Sequence, residues 1–484
     1  MESNDEIKIS VLKGDKLFNE YTPFAINISS PDRDPDKTTK KCNTDLICVI
    51  DSSSSMRGNK IYQVKESLKI LIDLMDKNDR ISLILFNSLA TNYFDLEYLT
   101  DNNKKLLKNK IDSITTYYGT NILSGLKIAV NIIKKENLEK KNEERITTII
   151  LLSDGYDSYN TEEILSNSLK NMTKGLNLLF TLHSFGYGRK YDEKILNKLA
   201  SLRDGSFYHV ENYNNVSEYF ACVLGGCISV ISQRAELNIK LLNNKCKIVK
   251  IFGLENLFEY ELKDDFFKNT ILQMISGKEY TFVFEINIDE KNIQIGDELL
   301  DINFMYKDIN NNNNVVFKNI KYKYELKSID YLKANEEYIR SHVYSVLDEI
   351  MKLKEKGKKN KAKELLNEIK LWIEKNYKGN NKNLLIDVEK SYDLFVDNNE
   401  IVNTSVKYLC SQIRQNQFKK DGSSKEFCNY IQNNLMKSIS NTVQFNSKFK
   451  LESVKIPRNT NNLAKSINFG NHIKHNFNFK EQNK

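Results

Sequence analysis

Leu46 to Ile50 is an almost unbroken apolar run, and it ends in Asp51 followed by four serines, Ser52 to Ser55. Apolar residues without alternation are the mark of a strand buried on both faces of a parallel sheet. Such a strand needs helices above and below it, so the surrounding chain is constrained to an α/β fold. Polar residues directly after it lie at the carboxyl end of the strand, where open α/β sheets hold their ligands. The spacing Asp51-x-Ser53-x-Ser55 puts one carboxylate and two hydroxyls on a single tight turn. All three donate oxygen, which suits a hard cation, Mg²⁺ or Mn²⁺, rather than zinc. The same turn can instead cap the helix that the spacing predicts over Asn59 to Met75. Taken alone, it leaves both roles open.

Two later stretches bear on the choice. Tyr118-Gly119-Thr120-Asn121 precedes an apolar-periodic run, Ile122 to Ile133, that reads as a helix. Thr147 to Leu152 is a second buried strand, ending in Ser153-Asp154-Gly155. In order and spacing these three stretches resemble the von Willebrand factor A domain and its metal-ion-dependent adhesion site. Phe185-Gly186-Tyr187-Gly188 and Asp204-Gly205-Ser206-Phe207-Tyr208 extend the resemblance, which covers residues 44–231. The family's ligands match Asp51, Ser53, Ser55, Thr120 and Asp154. The family usually has Gly where this chain has Ser54. The resemblance implies a Mg²⁺ (or Mn²⁺) held by three hydroxyls, with the two carboxylates direct or through water. It also implies an open position for an Asp or Glu carboxylate of a partner protein.

The chain has 484 residues, too many for one core. No run approaches the roughly 18–20 apolar residues that span a bilayer. The start, MESNDEIKIS, has early acids and no apolar h-region. The seven cysteines are an odd number without a C-x-x-C pair, so reduced thiols and a cytoplasmic location are expected. Their spacing and five scattered histidines exclude a RING or zinc ribbon. A net charge of +8 is too modest to point to nucleic acid. No phosphate loop, nucleophile elbow or Cys/His pair at telling spacing occurs, so no enzyme is expected. His183, His209 and Trp372 read as packed core residues, Lys352 to Lys361 as a solvated helix end, and Asp157-Ser158 as a turn.

Five segments follow from the patterning. Residues 1–43 hold two strands, Ile7 to Leu12 and Phe24 to Ser29, and a linker. Residues 44–231 alternate strand and helix, implying a Rossmann-like, doubly wound, mostly parallel sheet. Residues 232–326 alternate apolar and polar, implying an antiparallel β-sandwich that the N-terminal strands complete. The α/β segment would then be inserted into a β domain. Residues 327–440 read as helices over Tyr331 to Lys356, Asn360 to Asn376, Leu384 to Phe395 and Val402 to Gln415. Residues 441–484 are basic and Asn-rich, and read as disordered. This order resembles proteins in which a von Willebrand A domain is followed by a sandwich and a helical "interin" region. Plant RING-type ubiquitin ligases of the wavy-growth group share it, although the RING is absent here. Two functions are therefore carried forward. The first is a metal-dependent protein-interaction module. The second is a non-catalytic accessory or substrate-recruiting subunit of a ubiquitin ligase or AAA-type complex.

Overall fold

The computed structural model describes residues 6–32, 42–139, 145–188, 191–210, 216–244, 246–254, 257, 259–309, 314–326, 328–376, 382–392 and 419–420. The helix expected over Val402 to Gln415 and the tail from Asn441 lie outside these residues. Two strands come first, β1 (Lys8–Lys13) and β2 (Thr22–Ser29). An α/β unit follows: β3 (Asn43–Asp51), α1 (Asn59–Leu74), β4 (Arg80–Phe86), β5 (Ala90–Tyr98), α2 (Asp101–Asp112) and α3 (Ile122–Glu139). It continues through β6 (Arg145–Ser153), α4 (Glu162–Thr173), β7 (Phe180–Tyr187), α5 (Glu193–Ser201), β8 (Phe207–Val210) and α6 (Val216–Ile228).

These strands form one sheet in the order β5-β4-β3-β6-β7-β8. All neighbours are parallel except β5, which runs antiparallel to β4 at the edge. The central strand β3 shows why the fold is doubly wound. Its Leu46, Cys48 and Ile50 pack with α1, α2 and α6 on one face. Ile47 and Val49 pack with α3, α4 and α5 on the other. A strand apolar on both faces can be buried only between two helical layers, so the unbroken run dictates the architecture.

At the amino end of β3 the buried Asp45 carboxylate takes a bidentate bond from Arg80 (Nε to Oδ1 2.9 Å, a terminal nitrogen to Oδ2 2.7 Å) and another from Arg145. Burial raises its pKa, but the Arg80 hydrogen bonds and the Arg145 charge outweigh that and hold it below the ordinary value.

The remaining strands are β9 (Val230–Leu241), β10 (Lys247–Ile251), β11 (Glu259–Lys263), β12 (Phe266–Ile275), β13 (Glu279–Asn287), β14 (Glu298–Asp308) and β15 (Asn314–Lys323). Two antiparallel sheets result, β1-β2-β13-β10 and β11-β12-β9-β14-β15. Their facing apolar residues share one core that includes Phe24, Ile26, Leu237, Phe267, Phe284 and Phe304. The N-terminal strand β2 lies beside β13, with Phe24 opposite Phe284 and Ile26 opposite Phe282. The chain leaves this pair of sheets after β2 and rejoins it at β9. The β12–β13 turn holds the two points together: Gly277 N–H donates to the Pro31 carbonyl (2.9 Å) and Ser276 N–H to the Ser229 carbonyl (2.9 Å).

Helix α7 (Tyr331–Glu355) lays Ala334 and Tyr338 on Ala25 and Val283, and the Tyr338 hydroxyl donates to Glu285 at 2.7 Å. It then turns back through Gly357 (φ 71°) into α8 (Lys359–Asn376), which packs with α9 (Lys382–Tyr392). The left-handed glycine and the Lys358 N–H to Leu353 carbonyl bond close the end of α7 as a Schellman turn.

Several elements differ from the sequence expectation, among them β12, which starts at Phe266 rather than Thr270, and α2, which spans Asp101–Asp112 rather than Leu106 to Ile114. β9 begins at Val230, inside the stretch expected to finish the preceding helix. β7 starts at Phe180 rather than Asn177. β11 was not expected: its sequence, EYELK, alternates charged and apolar residues, but only two of the five are apolar and all five are exposed. No helix among the described residues is long and apolar enough to cross a membrane.

The pairing of β2 with β13 joins residues more than two hundred positions apart, and it can be tested at Phe24, which is fully buried. Phe24→Ala is expected to cost about 3–5 kcal/mol in urea unfolding, the range for truncating a core aromatic. A change below about 0.5 kcal/mol, as at a surface site, would mean that β2 is not packed there.

Candidate metal centre

The three sequence stretches meet at the carboxyl ends of β3 and β6. These strands are parallel neighbours with Ile50 opposite Leu152, so the residues that follow emerge side by side. Asp51 is the last residue of β3 and Asp154 follows the last residue of β6; both are fully buried. After Asp51 the chain makes one 3₁₀ turn, Ser54–Met56, before α1. The turn does not cap the helix. Gly58 is the N-cap of α1, with no side-chain bond, and Ser53 makes no capping bond either. Instead the Ser53 and Ser55 hydroxyls lie 2.9 Å apart, facing each other. The capping role left open by the sequence is therefore not taken.

Asp51 is fixed by two donors: Ser53 N–H to Oδ1 at 2.8 Å and the Ser153 hydroxyl to Oδ2 at 2.6 Å. Even so, burial and then the nearby charge of Asp154 push its pKa up to about 7, against the pull of those hydrogen bonds. Asp154 has one oxygen, Oδ2, 2.9 Å from the Lys60 ammonium. Its other oxygen, Oδ1, is buried and has no hydrogen-bond partner among the described residues. A buried carboxylate oxygen without a donor is costly unless a cation or its water satisfies it.

Thr120 is buried on the loop before α3. Backbone contacts bring that loop to the site. Tyr117 forms a bridge with Ser53, and its N–H donates to the Ser52 carbonyl at 2.8 Å. The Thr120 carbonyl accepts from Ser158 N–H at 2.8 Å, tying it to the segment after Asp154. Gly119 (φ 81°) is needed here, because a Cβ would collide with the Ser88 hydroxyl and left-handed backbone strains other residues. Asp157 and Ser158 form a turn: Asp157 accepts from Tyr159 and Asn160 N–H groups, and also from Ile122 N–H at the start of α3.

Several residues here were not singled out from the sequence. Ser153 orients Asp51, and Lys60 pairs with Asp154. A signal for Lys60 existed: it lies in the first turn of α1, at the end of the helix dipole that disfavours cations, so its position asks for an anionic partner. Tyr117, Tyr118, Tyr156, Tyr159 and Leu89 are all exposed and sit on the loops that meet at the site.

No cluster of three or more His, Cys, Asp or Glu side chains that could hold a metal occurs among the described residues. What the rim offers instead is two buried carboxylates beside the Ser53 and Ser55 hydroxyls. Two adjacent buried acids, one oxygen left without a donor and a facing hydroxyl pair fit a hard dication of the Mg²⁺ type.

Residues 45–221 match the family model of the von Willebrand factor type A domain. This part of the chain is a von Willebrand factor type A domain. Similar curated proteins include an uncharacterized protein of Synechocystis sp., 26% identical over 213 residues, 43% of this chain and 47% of that one. Inter-alpha-trypsin inhibitor heavy chain H4 of Bos taurus is 35% identical over 157 residues, 32% of this chain and 17% of the heavy chain. The match thus spans less than half the length of either relative. Among solved structures, a von Willebrand factor type A protein from Catenulispora acidiphila superposes with a TM-score of 0.61 at 14% identity, covering 81% of this chain and 91% of that one. An ArnB paralog from Sulfolobus acidocaldarius gives 0.53 at 17% identity, covering 86% and 100%. These two likenesses show the fold, which reaches beyond the type A domain itself.

The raised pKa of Asp51 gives a signed expectation. In the folded protein without metal Asp51 holds its proton up to about pH 7, whereas in the unfolded chain it loses it near about pH 4. Its contribution to stability is therefore full below about pH 4 and is lost as the pH rises towards 7, at up to about 1.4 kcal/mol per unit. In EDTA, the Tm of the wild type is expected to fall relative to Asp51→Asn between pH 4.5 and 7.5. Parallel curves for the two proteins would show that Asp51 carries no such strain.

Proposed function

We propose that this type A domain is a protein-interaction module, not an enzyme, that grips an Asp or Glu carboxylate of a partner protein through a Mg²⁺ (or Mn²⁺) held by Asp51, Ser53, Ser55, Thr120 and Asp154. The observation that carries the reading is the pair of fully buried carboxylates with one unpartnered oxygen at the carboxyl end of the sheet. When bound, the dication would supply a Lewis-acidic position open to an outside anion. The protein's part is to fix the donors. Ser153 and the Ser53 amide hold Asp51, and the 3₁₀ turn presents Ser53 and Ser55 as neutral ligands that leave much of the cation's charge uncompensated.

The surroundings favour binding over chemistry. The described histidines serve packing: His183 accepts from Ser206 N–H, His209 lies against the Tyr191 ring, and His342 stacks on Phe18. The exposed tyrosines on the site loops match the residue type that dominates protein-binding surfaces, since they bury large area at small entropic cost. The five cysteines among the described residues form no disulfide with one another, as in a reducing compartment such as the cytoplasm.

The test is Mg²⁺ calorimetry with partner pull-downs in the presence and absence of EDTA. Asp51→Ala is expected to abolish metal binding and capture while keeping the fold, since removing one of two like buried charges relieves repulsion. Ser53→Ala should do less harm, because water can replace one neutral ligand. Thr120→Ala should weaken capture more than metal binding. Tyr118→Ala, at the most exposed of the tyrosines (81%), should leave Mg²⁺ binding unchanged and weaken capture by about 1–3 kcal/mol. Equal capture in EDTA would sink the metal reading. Below pH 7 a proton must leave Asp51 for the metal to bind, so affinity is expected to fall with pH.

A further inference from the structure

Lys60 carries an inference that rests on the metal reading of the same centre. Its ammonium lies 2.9 Å from Asp154 Oδ2, and its side chain is 24% exposed. The placement is built. Lys60 sits in the first turn of α1, which has no acidic residue, so nothing else in that turn offsets a cation at the positive end of the helix. Its stem runs along Gly188 (φ 84°), where a Cβ would come within 2.9 Å of Lys60 Cε. Asp154 thus divides its oxygens: Oδ2 is taken by Lys60, while the buried Oδ1 has no partner among the described residues.

The charges decide what this does. Asp51 and Asp154 together carry two negative charges when ionised, and Lys60 carries one positive. A bound dication brings the centre to a net single positive charge. Without Lys60 the same centre would be neutral. We infer that Lys60 tunes the centre for anionic ligands: it loosens the hold on the dication and keeps the loaded centre positive, so that an incoming carboxylate is drawn in as the last ligand. Removing the lysine charge should therefore move the two affinities in opposite directions, which a purely structural lysine would not do.

The experiment uses the full chain with Mn²⁺ as the metal and acetate as the carboxylate probe. Calorimetry gives the Mn²⁺ affinity, and relaxation of the acetate methyl protons by the loaded protein gives acetate binding. Lys60→Met keeps the stem against Gly188 and loses the charge; Lys60→Arg keeps the charge; Asp51→Ala is the metal-site control. Lys60→Met is expected to bind Mn²⁺ about tenfold tighter and acetate about tenfold weaker than wild type, with Lys60→Arg close to wild type. The Tm of Lys60→Met in EDTA should drop and be restored by Mn²⁺, which shows that the variant still folds. If wild type binds both probes but Lys60→Met leaves them unchanged, or shifts both the same way, the role given to Lys60 is wrong while the metal reading stands. If wild type binds no Mn²⁺ and matches Asp51→Ala, both fall together.

Discussion

Two carboxylates buried side by side dominate the electrostatics at one rim of the central sheet. The parallel pairing of β3 with β6 sets Asp51 and Asp154 next to each other, where water cannot screen them. Like charges in that position must be protonated or compensated by cations. The neighbouring residues answer that demand in part. Ser153 and the Ser53 amide donate to one acid, and Lys60 pairs with the other. The opposite end of β3 provides an internal comparison. Asp45, also buried, is met by Arg80 and Arg145, and its pKa is lowered. Asp51 lacks a guanidinium and its pKa rises to about 7. One strand thus carries a satisfied acid at one end and an unsatisfied acid at the other.

The legible part of the fold was the part with one dominant pattern. β3 and β6 are apolar on both faces, so their place in the middle of a covered parallel sheet followed from sequence. The loops after them were legible because strand ends bring polar residues to one rim. β11 does alternate, as EYELK, but two apolar residues among three charges are too few to set a short exposed edge strand apart from a charged loop. The start of β9 was missed because Val230 and Ile231 extend the apolar pattern of α6 without a break. The Lys60–Asp154 pair joins positions 94 apart, and no local spacing reports it. The tyrosines on the site loops were invisible for a similar reason: only the folded loops collect them.

The sheet that carries the centre is not free-standing. Gln233 of β9 donates to the Arg145 carbonyl and Gln273 of β12 to the Thr147 carbonyl, so the amino-end rim of β6 rests on the antiparallel sheets. Asp204 accepts from Leu272 N–H on the same side. Asp51 and Asp154 lie at the far rim, turned away from these contacts. Rigid support at one rim and an open rim opposite are what a site needs if its donors are to keep their positions while a large ligand approaches.

The turn that holds Pro31 and Ser229 together has a mechanical consequence. A load applied at the Asp51–Asp154 rim passes along the sheet and leaves the α/β unit by two connections set next to each other. Adjacent exits share tension and resist it together, so the unit would swing about that point under force rather than unzip strand by strand from one edge. The Ser276 and Gly277 amide bonds would then act as the axle of that swing, and weakening them would change how the protein behaves under pull while leaving the geometry of the rim intact.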